Sequence, residues 1–133
     1  MIIEKQRTIK SPVSVEGVGL HTGAHTKLTI NPAPENHGYK FKRVDLPEQP
    51  VIDADVDLVV DTSRGTTLGK NGVKVSTIEH VLAALVGTQI DNALIEVSGP
   101  EIPIMDGSSK PFVDAINNIG FTEQDAIREY FVF

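Results

Sequence analysis

Glutamate and histidine stand side by side at Glu79 and His80, within the run Ser76-Thr77-Ile78-Glu79-His80-Val81-Leu82-Ala83-Ala84-Leu85-Val86-Gly87. A carboxylate beside an imidazole that can ligate a metal is the pairing used in metal-assisted hydrolysis, where the carboxylate takes a proton from the attacking water. The run opens with a capping signal: the Ser76 hydroxyl can accept from the backbone three residues on, and Glu79 can reach back. Ala83, Ala84 and Leu85 favour helix, and Gly87 stands where a left-handed C-cap belongs. The pattern predicts a helix whose first turn holds Glu79 and His80, beside unpaired backbone N–H groups and the positive end of the helix dipole. A plainer reading stands next to it, with Glu79 as half of a capping box and His80 as a structural histidine.

Other residues invite the same double reading. His21 and His25 are four apart, a metal-binding spacing on a helix, but their surroundings are strand-like. Four strand residues span roughly 13 Å, too far for one ion. His21 alone, between Gly19 and Gly23, either faces a site or is a turn histidine, and His37 sits in a proline-rich loop as a solvated residue. Asp106 precedes a helix between Met105 and Gly107. It reads as an Asx-turn acid or as an acid held on a rigid, proline-flanked loop near the other helix start. Asp53, Asp55 and Asp57 lack the glycine and distal glutamate of a calcium loop. Neither a Walker loop nor a G-x-S-x-G is present, and Gly17-Val18-Gly19 lacks the third glycine of a dinucleotide fingerprint.

Composition narrows the class. The 133 residues suit one domain, with 40% hydrophobic and 23% charged residues as in ordinary globular proteins. A net charge of −6 and a pI near 5.1 give no basic footprint for nucleic acid. With no cysteine, disulfides and thiolate metal sites are excluded. The first residues lack the apolar run of a signal peptide, and no stretch reaches membrane-spanning length, so the expectation is a cytoplasmic protein.

The elements that must position these groups follow in order. Strand patterns cover Lys5 to Ile30, broken at Ser11-Pro12 and by three glycines in Gly17-Val18-Gly19-Leu20-His21-Thr22-Gly23, which imply a tight turn or a close backbone approach. After the loop from Asn31 to Gly38, Tyr39, Phe41 and Arg43 predict a further strand of the same hairpin, and Leu58-Val59-Val60 a short buried one. Asn71-Gly72 between Thr66-Thr67-Leu68 and Val73-Lys74-Val75 signals a hairpin leading straight into the Ser76 helix. Asn92 to Val97 reads as a buried strand. A second helix begins near Ser109, tolerates Pro111 in its first turn, buries Phe112, Val113, Ala115, Ile116 and Ile119, and ends at Gly120. Thr122 to Glu129 reads as a polar linker, and Tyr130-Phe131-Val132-Phe133 as the start of another strand cut off at a domain boundary. The expected fold class is α+β: a two-layer sandwich with a mixed sheet covered on one face by two helices, residues 1–122 forming the domain and 123–133 leading out of it.

Four segments then carry a resemblance: Glu16-Gly17-Val18-Gly19-Leu20-His21-Thr22-Gly23, Ser76 to Leu85, Ile90-Asp91-Asn92, and Glu101-Ile102-Pro103-Ile104-Met105-Asp106-Gly107-Ser108. In this order they closely resemble the N-terminal half of the UDP-3-O-acyl-N-acetylglucosamine deacetylases, the zinc amidases of lipid A biosynthesis in Gram-negative bacteria. Members of this family are in some bacteria fused to a hydroxyacyl-carrier-protein dehydratase.

The resemblance implies two similar domains of the ribosomal protein S5 domain 2-like kind, with the active site between them. His80 then matches the one zinc ligand from the first domain, and Glu79 the general base that activates water against the acetamide carbonyl. The second domain would supply a His-x-x-x-Asp pair, an oxyanion threonine and a general-acid histidine. His21 and Asp106 match family positions at the cleft, in supporting roles. Thr67 stands where many members carry a cysteine near the metal, a departure that bears on inhibitory zinc more than on activity. Zinc needs about three protein ligands and a water, so these 133 residues alone are expected to bind it weakly and to be inactive. The competing class is a non-catalytic binding or assembly domain of the same fold.

Overall fold

Alternation decides which face of each strand is buried. In β3 (His25–Pro32) Thr26, Leu28 and Ile30 point inward, while Lys27 is exposed. The computed structural model describes residues 4–63 and 65–128. Among these, β2 (Val13–Val18), β3, β4 (Tyr39–Arg43), β5 (Val51–Asp53) and β9 (Ala93–Val97) form one sheet in the order β2-β3-β9-β4-β5. A hairpin of β7 (Thr67–Lys70) and β8 (Val73–Ser76) pairs with β6 (Val59–Asp61) in a second sheet, and β1 (Lys5–Ile9) pairs with β10 (Phe121–Ile127) in a third. Helices α1 (Glu79–Gly87) and α2 (Lys110–Ile119) pack against each other, and α2 also against β2. The class is α+β with mixed sheets and two helices.

One apolar cluster joins these layers. Leu28, Ile30, Phe41, Ile95 and Val97 of the five-stranded sheet meet Val81, Ala84 and Leu85 of α1 and Phe112 and Ile116 of α2, with every one of them at most 2% exposed. The Asn-Gly hairpin forms as its residues require. Asn71 (φ 52°) and Gly72 (φ 80°) take the two left-handed positions of a type I′ turn. Pro111 lies in the first turn of α2, and Gly120 (φ 83°) closes that helix. No helix among the described residues is long and apolar enough to cross a membrane.

Four expectations are corrected. β4 does not continue the β2–β3 hairpin: β9 lies between β3 and β4, antiparallel to the former and parallel to the latter. Its burial pattern, with Ala93, Ile95 and Val97 fully covered, suits a central position that local sequence cannot assign. Leu58 ends a short 3-10 turn, Val56–Leu58, and the strand that follows leaves Val60 55% exposed rather than buried. The polar stretch read as a linker forms β10, so a boundary after residue 122 falls inside a strand. Here tertiary pairing overrides composition: β10 has Arg7 of β1 stacked 4.1 Å from the Phe121 ring, and Gln124 bonds to Asn92 and to the Ala33 carbonyl. The strand expected at Tyr130–Phe133 lies outside the described residues.

The fourth correction concerns the ends of α1. Ser76 does not cap it. Its backbone is still paired as strand, N–H to the Pro100 carbonyl at 2.8 Å and carbonyl to the Ile102 N–H at 3.0 Å. Its hydroxyl accepts from Thr67 Oγ1 at 3.1 Å. At the other end Gly87 is the last helical residue, Thr88 follows as the C-cap, and the left-handed residue is Gln89 (φ 62°).

Since Phe112 is fully buried between the helices and the sheet, Phe112→Ala should destabilise the fold by about 3–5 kcal/mol, read as a lower urea midpoint. A midpoint within error of the unmutated protein would show that α2 does not help to hold the core.

Candidate active site

Glu79 and His80 do occupy the first turn of α1, both half-buried. Glu79 is held by the residue just before β7 rather than by its own helix cap: both carboxylate oxygens lie 3.3–3.4 Å from the Thr66 nitrogen. That approach depends on Gly65 (φ 92°), where an added Cβ would come within 3.1 Å of Glu79 Oε2. Two residues before Glu79, Thr77 is buried and left-handed (φ 62°), an uncommon conformation for a β-branched residue. This kink redirects the chain from β8 into α1, and its cost, on the order of 1–3 kcal/mol, must be offset by the surroundings that impose it.

The surroundings include Glu101. Although only 1% exposed, its carboxylate accepts from the Thr77 hydroxyl at 3.0 Å. It also accepts from the backbone N–H of His21 (3.1 Å to each oxygen) and of Thr22 (2.9 Å). The His21 ring nitrogen Nδ1 lies 2.8 Å from Oε2. Gly19 makes this possible, because a Cβ there would fall 2.2 Å from Glu101 Oε1. The glycines of Gly17-Val18-Gly19 thus serve a close approach, and Gly23 (φ 65°) closes the turn, its N–H on the Gly19 carbonyl at 2.9 Å. The Ile104 N–H bonds to the Val18 carbonyl at 2.9 Å, which lays the segment from Glu101 along the same loop.

His21, Thr22, Thr67, Ser76, Asp61, Pro100 and Glu101 line a cavity of about 190 Å³. The run from Ser76 to His80 therefore leads from the cavity wall to the start of α1. Burial by itself pushes the Glu101 carboxyl up, but the Thr22 N–H, the His21 ring and N–H and the Thr77 hydroxyl outweigh it and bring it down to about 2.

Asp106 is not part of this cluster. It is exposed, and it accepts from Ser108 N–H at 2.9 Å and Ser108 Oγ at 2.7 Å, which is the Asx-turn reading. Its carboxyl is lowered, chiefly by the Ser108 hydroxyl. It borders a separate groove with Glu16, Val18 and Met105. His25 pairs with Glu16 at 3.3 Å on the exposed side of the hairpin, away from any second histidine. His37 is half-buried, its ring against the Gly38 carbonyl at 3.0 Å. Among the described residues no three His, Asp or Glu side chains converge as a metal site. Glu101 and Thr77 were not singled out as site residues from sequence. An acid between Pro100 and Ile102-Pro103 carries no local signal of the donors that folding brings to it.

The profile of the LpxC family, UDP-3-O-acyl N-acetylglycosamine deacetylase, matches residues 6–133. The chain belongs to this family. It is 54% identical over 128 residues to the bifunctional enzyme LpxC/FabZ of Bacteroides thetaiotaomicron, covering 96% of this chain and 28% of that protein. Against the UDP-3-O-acyl-N-acetylglucosamine deacetylase of Methylococcus capsulatus it is 53% identical over 126 residues, 95% of this chain and 41% of that protein. The bifunctional enzyme LpxC/FabZ of Porphyromonas gingivalis is 52% identical over 130 residues, 98% of this chain and 28% of that protein. The chain thus spans less than half the length of these relatives.

Because Glu101 lies below the ordinary value of 4.5 when folded, its contribution to stability is complete above that pH and is lost as the pH falls toward 2. Glu101→Gln should lower unfolding free energy at neutral pH and decline less steeply with acid over that window, as followed by urea titration. Curves that run parallel to those of the unmutated protein would mean that Glu101 is not the group responsible.

Proposed function

We propose that this chain supplies the Glu79–His80 side of the active site of a zinc-dependent deacetylase. The reaction is hydrolysis of the N-acetyl amide of UDP-3-O-acyl-N-acetylglucosamine in lipid A biosynthesis. The observation that carries the reading is the consecutive placement of a half-buried carboxylate and imidazole on the first turn of α1, in a chain of the deacetylase family.

The donor set fits one ligand of a catalytic zinc, not a whole site. In this reading His80, on the first turn of α1, is one ligand, and such a metal takes about three protein ligands. In this reading the others come from a second domain of the same S5 domain 2-like fold, and the metal would be shared between the two. Zinc, when bound, supplies Lewis-acid polarisation of water and of the amide carbonyl. Glu79 accepts the proton of the attacking water. Gly65 and the Thr66 N–H hold its carboxylate at the helix start, which limits the rotamers that proton transfer must search. His21 lines the neighbouring cavity and supports substrate binding, with Asp106 at the rim of the next groove. The bifunctional names of two close relatives support a fused dehydratase as a partner in the natural-length protein, and the absence of a candidate membrane-spanning helix among the described residues accords with a cytoplasmic enzyme.

The deciding experiment is metal content and amide hydrolysis by the natural-length protein purified without chelator. His80→Ala should lose most of the bound zinc. Glu79→Gln should keep the metal yet lose about 10²–10⁴ in kcat, the size of a general-base contribution. Equal zinc in the unmutated protein and His80→Ala would place the metal elsewhere. Absence of zinc from both would favour a binding domain of the same fold.

A further inference from the structure

Glu101 touches four groups: the N–H of His21 and the N–H of Thr22, which can only donate, the Thr77 hydroxyl at 3.0 Å, and the His21 ring. An ionised carboxylate has acceptor sites and no hydrogen of its own. The fourth neighbour, His21 Nδ1 at 2.8 Å, must therefore also bring a hydrogen. For the neutral ring that settles the tautomer, which is otherwise open to assignment. Nε2, across Cε1 from Nδ1, is turned away from the carboxylate. The His21 side chain is 34% exposed and borders the cavity lined by Thr67 and Ser76.

We propose that Glu101 is a positioning residue, fixing His21 as the Nδ1–H tautomer so that Nε2 meets the cavity as a hydrogen-bond acceptor for an O–H or N–H of the sugar substrate. The substrate class rests on the deacetylase reading above. The tautomer and its cause do not. The same carboxylate grips Thr77, three residues before His80, so the binding imidazole and the start of α1 are both indexed to one buried charge. Chemically this is the arrangement by which a carboxylate orients an imidazole in other hydrolytic sites, where its loss leaves the ring free to take the wrong tautomer.

A double-mutant cycle in the natural-length, metal-loaded protein separates positioning from a purely structural role. His21→Ala should lower kcat/KM about tenfold, chiefly through a higher KM, as expected for one lost hydrogen bond to substrate. Glu101→Gln should produce a loss at least as large, since it also releases Thr77, and the double variant should be no worse than Glu101→Gln alone. Losses that multiply would overturn the proposal, because Glu101 would then act without His21. Nitrogen NMR of the imidazoles in the unmutated protein tests the same point without any variant: Nδ1 should be protonated and Nε2 bare in neutral His21. An Nε2–H tautomer would overturn the proposal even if Glu101→Gln does not fold. Failure of the unmutated protein to hydrolyse the amide would sink the deacetylase reading alone, and the ring spectrum would still decide the positioning.

Discussion

Taking a carboxylate out of water costs several kcal/mol unless donors in the protein replace the lost solvent. At Glu101 that exchange is met by two backbone N–H groups, a hydroxyl and an imidazole drawn from residues 21, 22 and 77. None of these is near Glu101 in sequence, so the side chain can be buried only when the glycine-rich loop, the end of β8 and the segment before α2 have come together. Backbone hydrogen bonds from Ser76 to Pro100, from Ile102 to Ser76 and from Ile104 to Val18 join the same three segments. The left-handed Thr77 is tolerable because its hydroxyl is committed to Glu101 and its neighbour Ser76 is still paired as strand. A charge that is expensive to bury thereby specifies one arrangement of the loops.

That arrangement determines where Glu79 and His80 lie. Ser76 sits on the wall of the His21 cavity, and the kink at Thr77 turns the following residues into the first turn of α1. Glu79 and His80 are thus delivered by a strand-to-helix joint rather than by a capped helix. Side chains on such joints are placed by the rigid elements on either side, which suits groups that must keep a fixed separation from a substrate. Gly19 lets backbone approach the Glu101 carboxylate more closely than a Cβ would permit, and at Gly65 a Cβ would crowd the Glu79 carboxylate. The Asp91-Asn92 pair, part of the pattern that carries the family resemblance, has a different task. Asp91 accepts the Arg7 N–H, and Asn92 bonds Gln6 and Gln124, tying the β1–β10 ribbon to the central strand.

Much of this was legible beforehand where the information is local. Asn71-Gly72 dictated its turn, because only residues at ease with positive φ can close a two-residue hairpin. The apolar spacing of Phe112 and Ile116, with Pro111 before and Gly120 after, determined α2. The adjacency of Glu79 and His80 in a first helical turn also came from sequence alone. The chemical kinship of the chain lay in the same short motifs, and the family match over residues 6–133 agrees with it.

What the tertiary structure decided was everything that depends on partners distant in sequence. Composition assigned Thr122–Glu129 to a linker, and only pairing with β1 makes most of it a strand. Local order joined β4 to the preceding hairpin, whereas the insertion of β9 is a matter of which apolar face gains most from the centre of the sheet. The capping signal at Ser76 failed because its backbone and hydroxyl already had partners from residues 67, 100 and 102. Glu101 could not be recognised as a hub, since an acid between prolines reveals nothing of the four donors awaiting it. Local propensity is written in neighbouring residues, but the desolvation of a charge is settled only by the groups that folding brings around it.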